Sequence, residues 1–113
     1  MKAERGSVVL VPFPFADLSA VKRRPALVIS TNTYNVATGD VIIAQITSRV
    51  NSPPRPGDYQ PRRWQEAGLL LPSLVRARIT TLEASMLIKV IGMMPSQEMA
   101  AVDRALASAL GLA

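Results

Sequence analysis

The sequence predicts a mainly β protein of the α+β class, a small and strongly curved sheet or partial barrel carrying one C-terminal amphipathic helix. Three observations predict it. Short apolar runs rich in β-branched residues recur between residues 7 and 92, each bounded by Pro, Gly, Asn or Asp. Turn signals follow one another too closely for alternating βαβ units. The hydrophobic pattern takes up a helical period only at the end of the chain. With 113 residues and 49% hydrophobic content, the chain suits a single domain over 1–113 with its own core.

The elements follow in order. SVVLV (7–11), ALVIS (26–30) and VIIAQIT (41–47) read as the first three strands. GLLL (68–71), LVRARIT (74–80) and LIKVIG (87–92) read as three more. In LVRARIT, Val75, Ala77 and Ile79 alternate with Arg76, Arg78 and Thr80, which aims both arginines at one surface. Ser96, just after Pro95, reads as a helix cap. Met99, Val102, Leu106 and Leu110 then recur at helical spacing, and Gly111 offers the stop. Two links stand out. Residues 12–25 join adjacent strands, and residues 49–63 hold four prolines and four arginines with little apolar content. Long links of this kind tend to be binding or mobile segments.

Thirteen Lys and Arg against eight Asp and Glu give a formal charge of +5, which favours a polyanionic partner, nucleic acid first. The charge belongs to the loops and the strand face, because Arg104 is the only cation after Lys89. In KRRPALVIS (22–30) three consecutive cations and a proline stand directly before a buried strand. The chain has no Cys and no His. That removes a disulfide framework, a thiolate nucleophile, the commonest general acid/base and the commonest transition-metal ligand. Catalysis is therefore expected to run on Arg, Lys, carboxylates, hydroxyls or backbone. The start, MKAERGSVVLVPFPF, is charge-rich and broken by Pro12 and Pro14, so neither a signal peptide nor a membrane span is expected, and the cytoplasm is the expected compartment.

The ordered set PFPFADLS, RRPALVIS, AQITS and PSLVR, followed by the closing helix MAAVDRALASALGL, resembles the MazF/PemK family of toxins from type II toxin–antitoxin systems. The resemblance spans nearly the whole chain. It implies the small SH3-like barrel of the MazF/CcdB-type toxin fold. It also implies a homodimeric, sequence-specific, metal-independent endoribonuclease, inhibited by an acidic antitoxin. In the family an arginine just before the proline of the RP motif and a threonine ending the third strand carry the chemistry, and these match Arg24 and Thr47. Some members use an arginine in the later strand followed two positions on by an aspartate. Arg76 matches that arginine, but position 78 is Arg, so no aspartate base is carried over. The usual RGD near the start reads RGS here, with Ser7 in place of the acid.

RNA is cut without metal when its own 2′-hydroxyl attacks the neighbouring phosphorus. The products implied are a 2′,3′-cyclic phosphate and a 5′-hydroxyl. The planar fork of Arg24 suits two phosphate oxygens at once, and the Thr47 hydroxyl can donate to the same group. Arginine is a poor base by its intrinsic pKa, so the proton acceptor stays open between Arg24 and a loop carboxylate, with Asp17 nearest in sequence. Lys22, Arg23, Ser48, Arg49, Arg76 and Arg78 are the candidate RNA contacts. Each has an ordinary reading as surface charge or polar strand face. Trp64, the single tryptophan, reads as a core or interface anchor before a base-stacking platform.

Two other readings come from a different class. The gyrase-directed toxins share this small barrel and act by binding a protein, but the end RALASALGLA lacks the bulky aromatic finish expected of them. A noncatalytic RNA-binding module would bind with salt-dependent affinity and yield no product. Cleavage separates both from the leading reading.

Overall fold

The computed structural model describes residues 3–13 and 22–112, and of Phe13 the backbone alone. Strands β1 (Ser7–Phe13), β2 (Lys22–Val28), β3 (Asp40–Thr47), β4 (Leu74–Glu83) and β5 (Lys89–Met93) form one antiparallel sheet in the order β4-β3-β2-β1-β5. Helix α1 (Asn32–Thr38) links β2 to β3, and helix α2 (Ser96–Leu110) ends the fold. The mainly β architecture with a closing helix is the one the sequence predicts. Among the described residues no helix is long and apolar enough to cross a membrane.

Both faces of the sheet are buried. One face packs Val8, Leu27, Ala44, Ile46 and Val75 against Met99, Val102 and Leu106 of α2. The other gathers Val9, Val11, Ala26, Val28, Val41 and Ile43 with Leu82 and Leu87. Among the described residues, neither α1 nor α2 contributes to that second cluster. Two buried faces explain why the strands read as continuous apolar runs rather than as strict alternation.

Several elements differ from the sequence reading. GLLL (68–71) is no strand but part of the connection to β4. Gly68 has φ +84, and a Cβ there would stand 2.1 Å from the carbonyl oxygen of Ile91. A Cβ on Gly92 would stand 2.1 Å from the carbonyl oxygen of Ala67, so two backbones cross in contact where only glycine fits. The crossing coincides with a bulge, since Val8 pairs Gly92 and Val9 pairs Val90, leaving Ile91 unpaired with β1.

Helix α1 was not expected. Thr31 caps it by accepting the Tyr34 N–H at 3.1 Å, and Gly39 ends it at φ 73. It buries no residue, which is why apolar periodicity could not announce it. At α2 the N-cap position is Pro95, without a side-chain bond, and Ser96 is the first helical residue. Gly111 ends the helix as expected, in the left-handed region at φ 74. Leu110 is exposed and lies outside the apolar stripe. The link 49–63 is anchored, because Tyr59 exchanges backbone hydrogen bonds with Val75 at 3.0 and 2.8 Å and Pro61 is fully buried.

Candidate active site

Pro25 sets the geometry of the site. The β2–β3 ladder pairs Ala26 with Gln45, Leu27 with Ala44 and Val28 with Ile43, and begins directly after that proline. A proline has no N–H to give to a ladder, so pairing stops there. Continuing the register two residues further puts Arg24 opposite Thr47. These two strand ends, paired to β1 and β4 but not to each other, open onto a cavity of about 220 Å³ lined by Arg24, Pro25, Ile46, Thr47 and Ser48. Leu69, Leu70, Leu71 and Ser73 complete its wall, with Leu10, Gly68 and Ile91 beside them.

The structure thus brings Arg24, Thr47 and Ser48 to one place. Arg24 is exposed at the mouth. Thr47 is half-buried, and its hydroxyl oxygen accepts the backbone N–H of Arg49 at 3.2 Å. That bond fixes the turn out of β3 and leaves the hydroxyl proton available to another acceptor. Lys22 and Arg23 are exposed further along the β1–β2 hairpin, opposite Phe13 and Pro12. Arg49 is exposed next to the cavity residue Ser48. Asp17 lies outside the described residues.

Arg76 and Arg78 do not share a polar face. The β3–β4 register shifts so that Gln45 faces Arg76 while Ala44 faces Ile79, and the intervening Ala77 and Arg78 form a bulge. Arg78 is exposed there, whereas Arg76 is buried and ion-paired to Asp58, apart from the cavity lining. Hydrogen bonding by Arg76, with its charge, holds the Asp58 carboxyl below the usual carboxylate range despite burial. The same bonds raise Arg76.

A second buried carboxylate sits at the start of α2. Glu98 accepts from the Tyr59 hydroxyl and from the backbone N–H of Arg63, the latter at 2.7 Å. Burial alone would push Glu98 up. The bonds from Tyr59 and from the Arg63 and Arg62 backbone outweigh it and hold the carboxyl below its ordinary value. Tyr59 is correspondingly raised by the bond to Glu98. Asp58 and Glu98 therefore clamp the end of the 49–63 link to β4 and α2. Ser7, where the family has an acid, accepts the Glu4 N–H at 2.9 Å and closes a turn away from the cavity.

Sequence reasoning missed the far wall of the cavity, Gly68 to Leu71 and Ser73. The signal was present in the exposed-looking pair Leu70–Leu71 behind a glycine, but an apolar run of that length reads equally as a strand.

Comparison with known proteins fits this architecture. A comparison with curated proteins returned no significant match. Among solved structures, an endoribonuclease from a mycobacterial species, in complex with its cognate antitoxin, is 28% identical, with 99% of this chain and 98% of that one covered and a TM-score of 0.77. MazF of Deinococcus radiodurans (form I) is 29% identical over 98% of both chains, at a TM-score of 0.74. The Mycobacterium tuberculosis toxin MazF-mt6, 20% identical, covers 95% of this chain and 98% of its own at 0.77 and shows the shared fold alone. The family model for the PemK-like, MazF-like toxin of type II toxin–antitoxin systems matches residues 4–110, and this chain belongs to that family.

Proposed function

We propose that this chain is a toxin that acts as a metal-independent, sequence-specific endoribonuclease on single-stranded RNA. The observation that carries the reading is the shared cavity of Arg24 and Thr47 at the point where Pro25 ends the β2–β3 ladder. A similar mycobacterial protein is an endoribonuclease solved with its antitoxin, and the same activity and kind of partner are assigned here.

The chemistry follows from the residues. The 2′-oxygen forms a bond to phosphorus, the bond to the 5′-oxygen breaks, and the proton lost by the first is matched by one gained by the second. Negative charge grows on the two remaining phosphate oxygens between these events. Arg24 offers paired N–H donors to those oxygens, and Thr47 offers a hydroxyl. Ser48 stands beside Thr47 as a further donor. The proton acceptor is Arg24 or a carboxylate such as Asp17. Lys22, Arg23, Arg49 and Arg78, all exposed, bind flanking phosphates without reading sequence. Arg76 holds the 49–63 link in place and takes no phosphate.

The chain works as a homodimer and is silenced by an acidic antitoxin, which its charge of +5 suits. The test is incubation with a long defined RNA in excess EDTA, followed by mapping of the product ends. Discrete cuts with cyclic phosphate and 5′-hydroxyl ends are expected. Binding without product would favour the noncatalytic module, and cuts that EDTA abolishes would remove the metal-independent route.

A further inference from the structure

We infer that the aliphatic wall formed by Leu69, Leu70 and Leu71 is a nucleobase subsite, holding the base of a nucleotide that flanks the scissile phosphate. The inference rests on the endoribonuclease reading and adds to it how one base is held.

The wall belongs to the same cavity as Arg24 and Thr47. A phosphate held on Arg24 carries a nucleoside on each side, and the space within reach of it is bounded mostly by alkyl groups. Leu70 and Leu71 are 92% and 58% exposed. Side by side at the mouth of the cavity that Arg24 lines, they offer apolar surface to a ligand held there. The Ser73 hydroxyl donates its proton to the Leu71 carbonyl at 2.8 Å, so on this wall it can act only as an acceptor. What the wall mainly offers is alkyl surface, which suits the face of a base.

The backbone that carries the wall is also anchored before any ligand arrives. The Leu69 N–H donates to the Trp64 carbonyl at 3.2 Å, Leu69 is buried, and the Gly68–Ile91 backbone contact sets the height of the segment above β5. A preorganised surface loses little entropy on binding. The occupant is a nucleobase because Arg24 lines the cavity and Lys22 and Arg23, exposed, precede it in the chain, a run of cations that selects an anionic polymer. Recognition at this subsite is by shape and stacking, and hydrogen-bonded base reading belongs elsewhere on the strand.

The test uses a short RNA containing a cleavage site mapped with the wild type, and two versions with an abasic nucleotide on one or the other side of the scissile phosphate. kcat/KM is measured for the wild type, Leu71→Ala and Leu70→Ala. Both leucines are exposed, so the variants fold. For one of the two abasic RNAs the wild type is expected to lose about tenfold, the order of burying one base face against alkyl groups, and Leu71→Ala to lose about twofold at most. Equal losses in wild type and variant overturn the subsite. So does a Leu71→Ala defect that disappears at higher protein concentration, which would give the wall to a second copy. A variant that cuts every RNA normally but escapes the antitoxin would give it to that protein instead. If the wild type cuts no RNA at all, the endoribonuclease reading itself fails and takes the subsite with it.

Discussion

Arg76 and Asp58 are joined by two parallel hydrogen bonds, Nε to Oδ1 and Nη2 to Oδ2, each 3.1 Å, with only 11% and 5% of the two side chains exposed. The guanidinium fork is thereby committed to a carboxylate from the 49–63 link. An arginine whose place in the strand suggested a phosphate contact is instead the anchor of a loop.

Removing one partner leaves the other buried and uncompensated. Asp58→Ala is expected to cost about 3 kcal/mol in urea unfolding. RNA affinity separates the two arginines of β4 more cleanly. Arg78→Ala, and Arg49→Ala, should lower the magnitude of the salt slope of log K by about 0.7 each, the value for one phosphate contact on a single strand. Arg76→Ala should leave that slope unchanged in the fraction that stays folded. A reduced slope for Arg76→Ala would return it to the RNA groove.

Acid should unlock the clamp. Asp58 and Glu98 both have folded-state pKa values held below their ordinary ones. Their stabilisation is therefore fully present above the unfolded-state values, about 4, and is lost as pH falls through the lower folded values. Melting temperature is expected to be level near neutrality and to fall below about pH 4. Asp58→Asn combined with Glu98→Gln should melt lower at pH 7 and show a flatter acid limb. Parallel curves for wild type and variant would mean that other carboxylates set the acid limit.

The backbone crossing at Gly68 gives a paired test. Gly68→Ala adds a Cβ 2.1 Å from the Ile91 carbonyl oxygen, on top of a left-handed φ. Gly39→Ala meets the same kind of φ, +73, with nothing within 4 Å. Gly39→Ala is expected to cost about 1 kcal/mol, the price of the conformation alone. Gly68→Ala should cost at least about 3 kcal/mol, because backbone must move, and should displace the cavity wall with it. Equal costs in thermal denaturation would argue against the tight crossing.

Much of this was legible in the sequence for definite reasons. VIIAQIT announces a strand because its β-branched residues fill both buried faces, and Gly111 announces the end of α2 because only a left-handed residue closes it. RRP next to ALVIS marked Arg24, and Pro25 then proved to be what opens the ladder beside it. What stayed hidden depends on distant residues. No local pattern tells that Asp58 reaches Arg76, that a bulge at Ala77 and Arg78 breaks the alternation, or that Gly68 lies across Ile91. Helix α1 had a cap and a stop in Thr31 and Gly39 but no apolar face to draw attention.

The central claim is that Arg24 and Thr47 act on one phosphate. The most direct measurement is kcat/KM on a single RNA site for wild type, Arg24→Ala, Thr47→Val and the double variant, with folding checked by circular dichroism. Each single change is expected to lower the rate by about 10²-fold or more, as loss of a transition-state donor does. The double variant should be little worse than the poorer single one, since residues that work as a unit are not additive. Cleavage by folded Arg24→Ala at the wild-type rate would contradict the account.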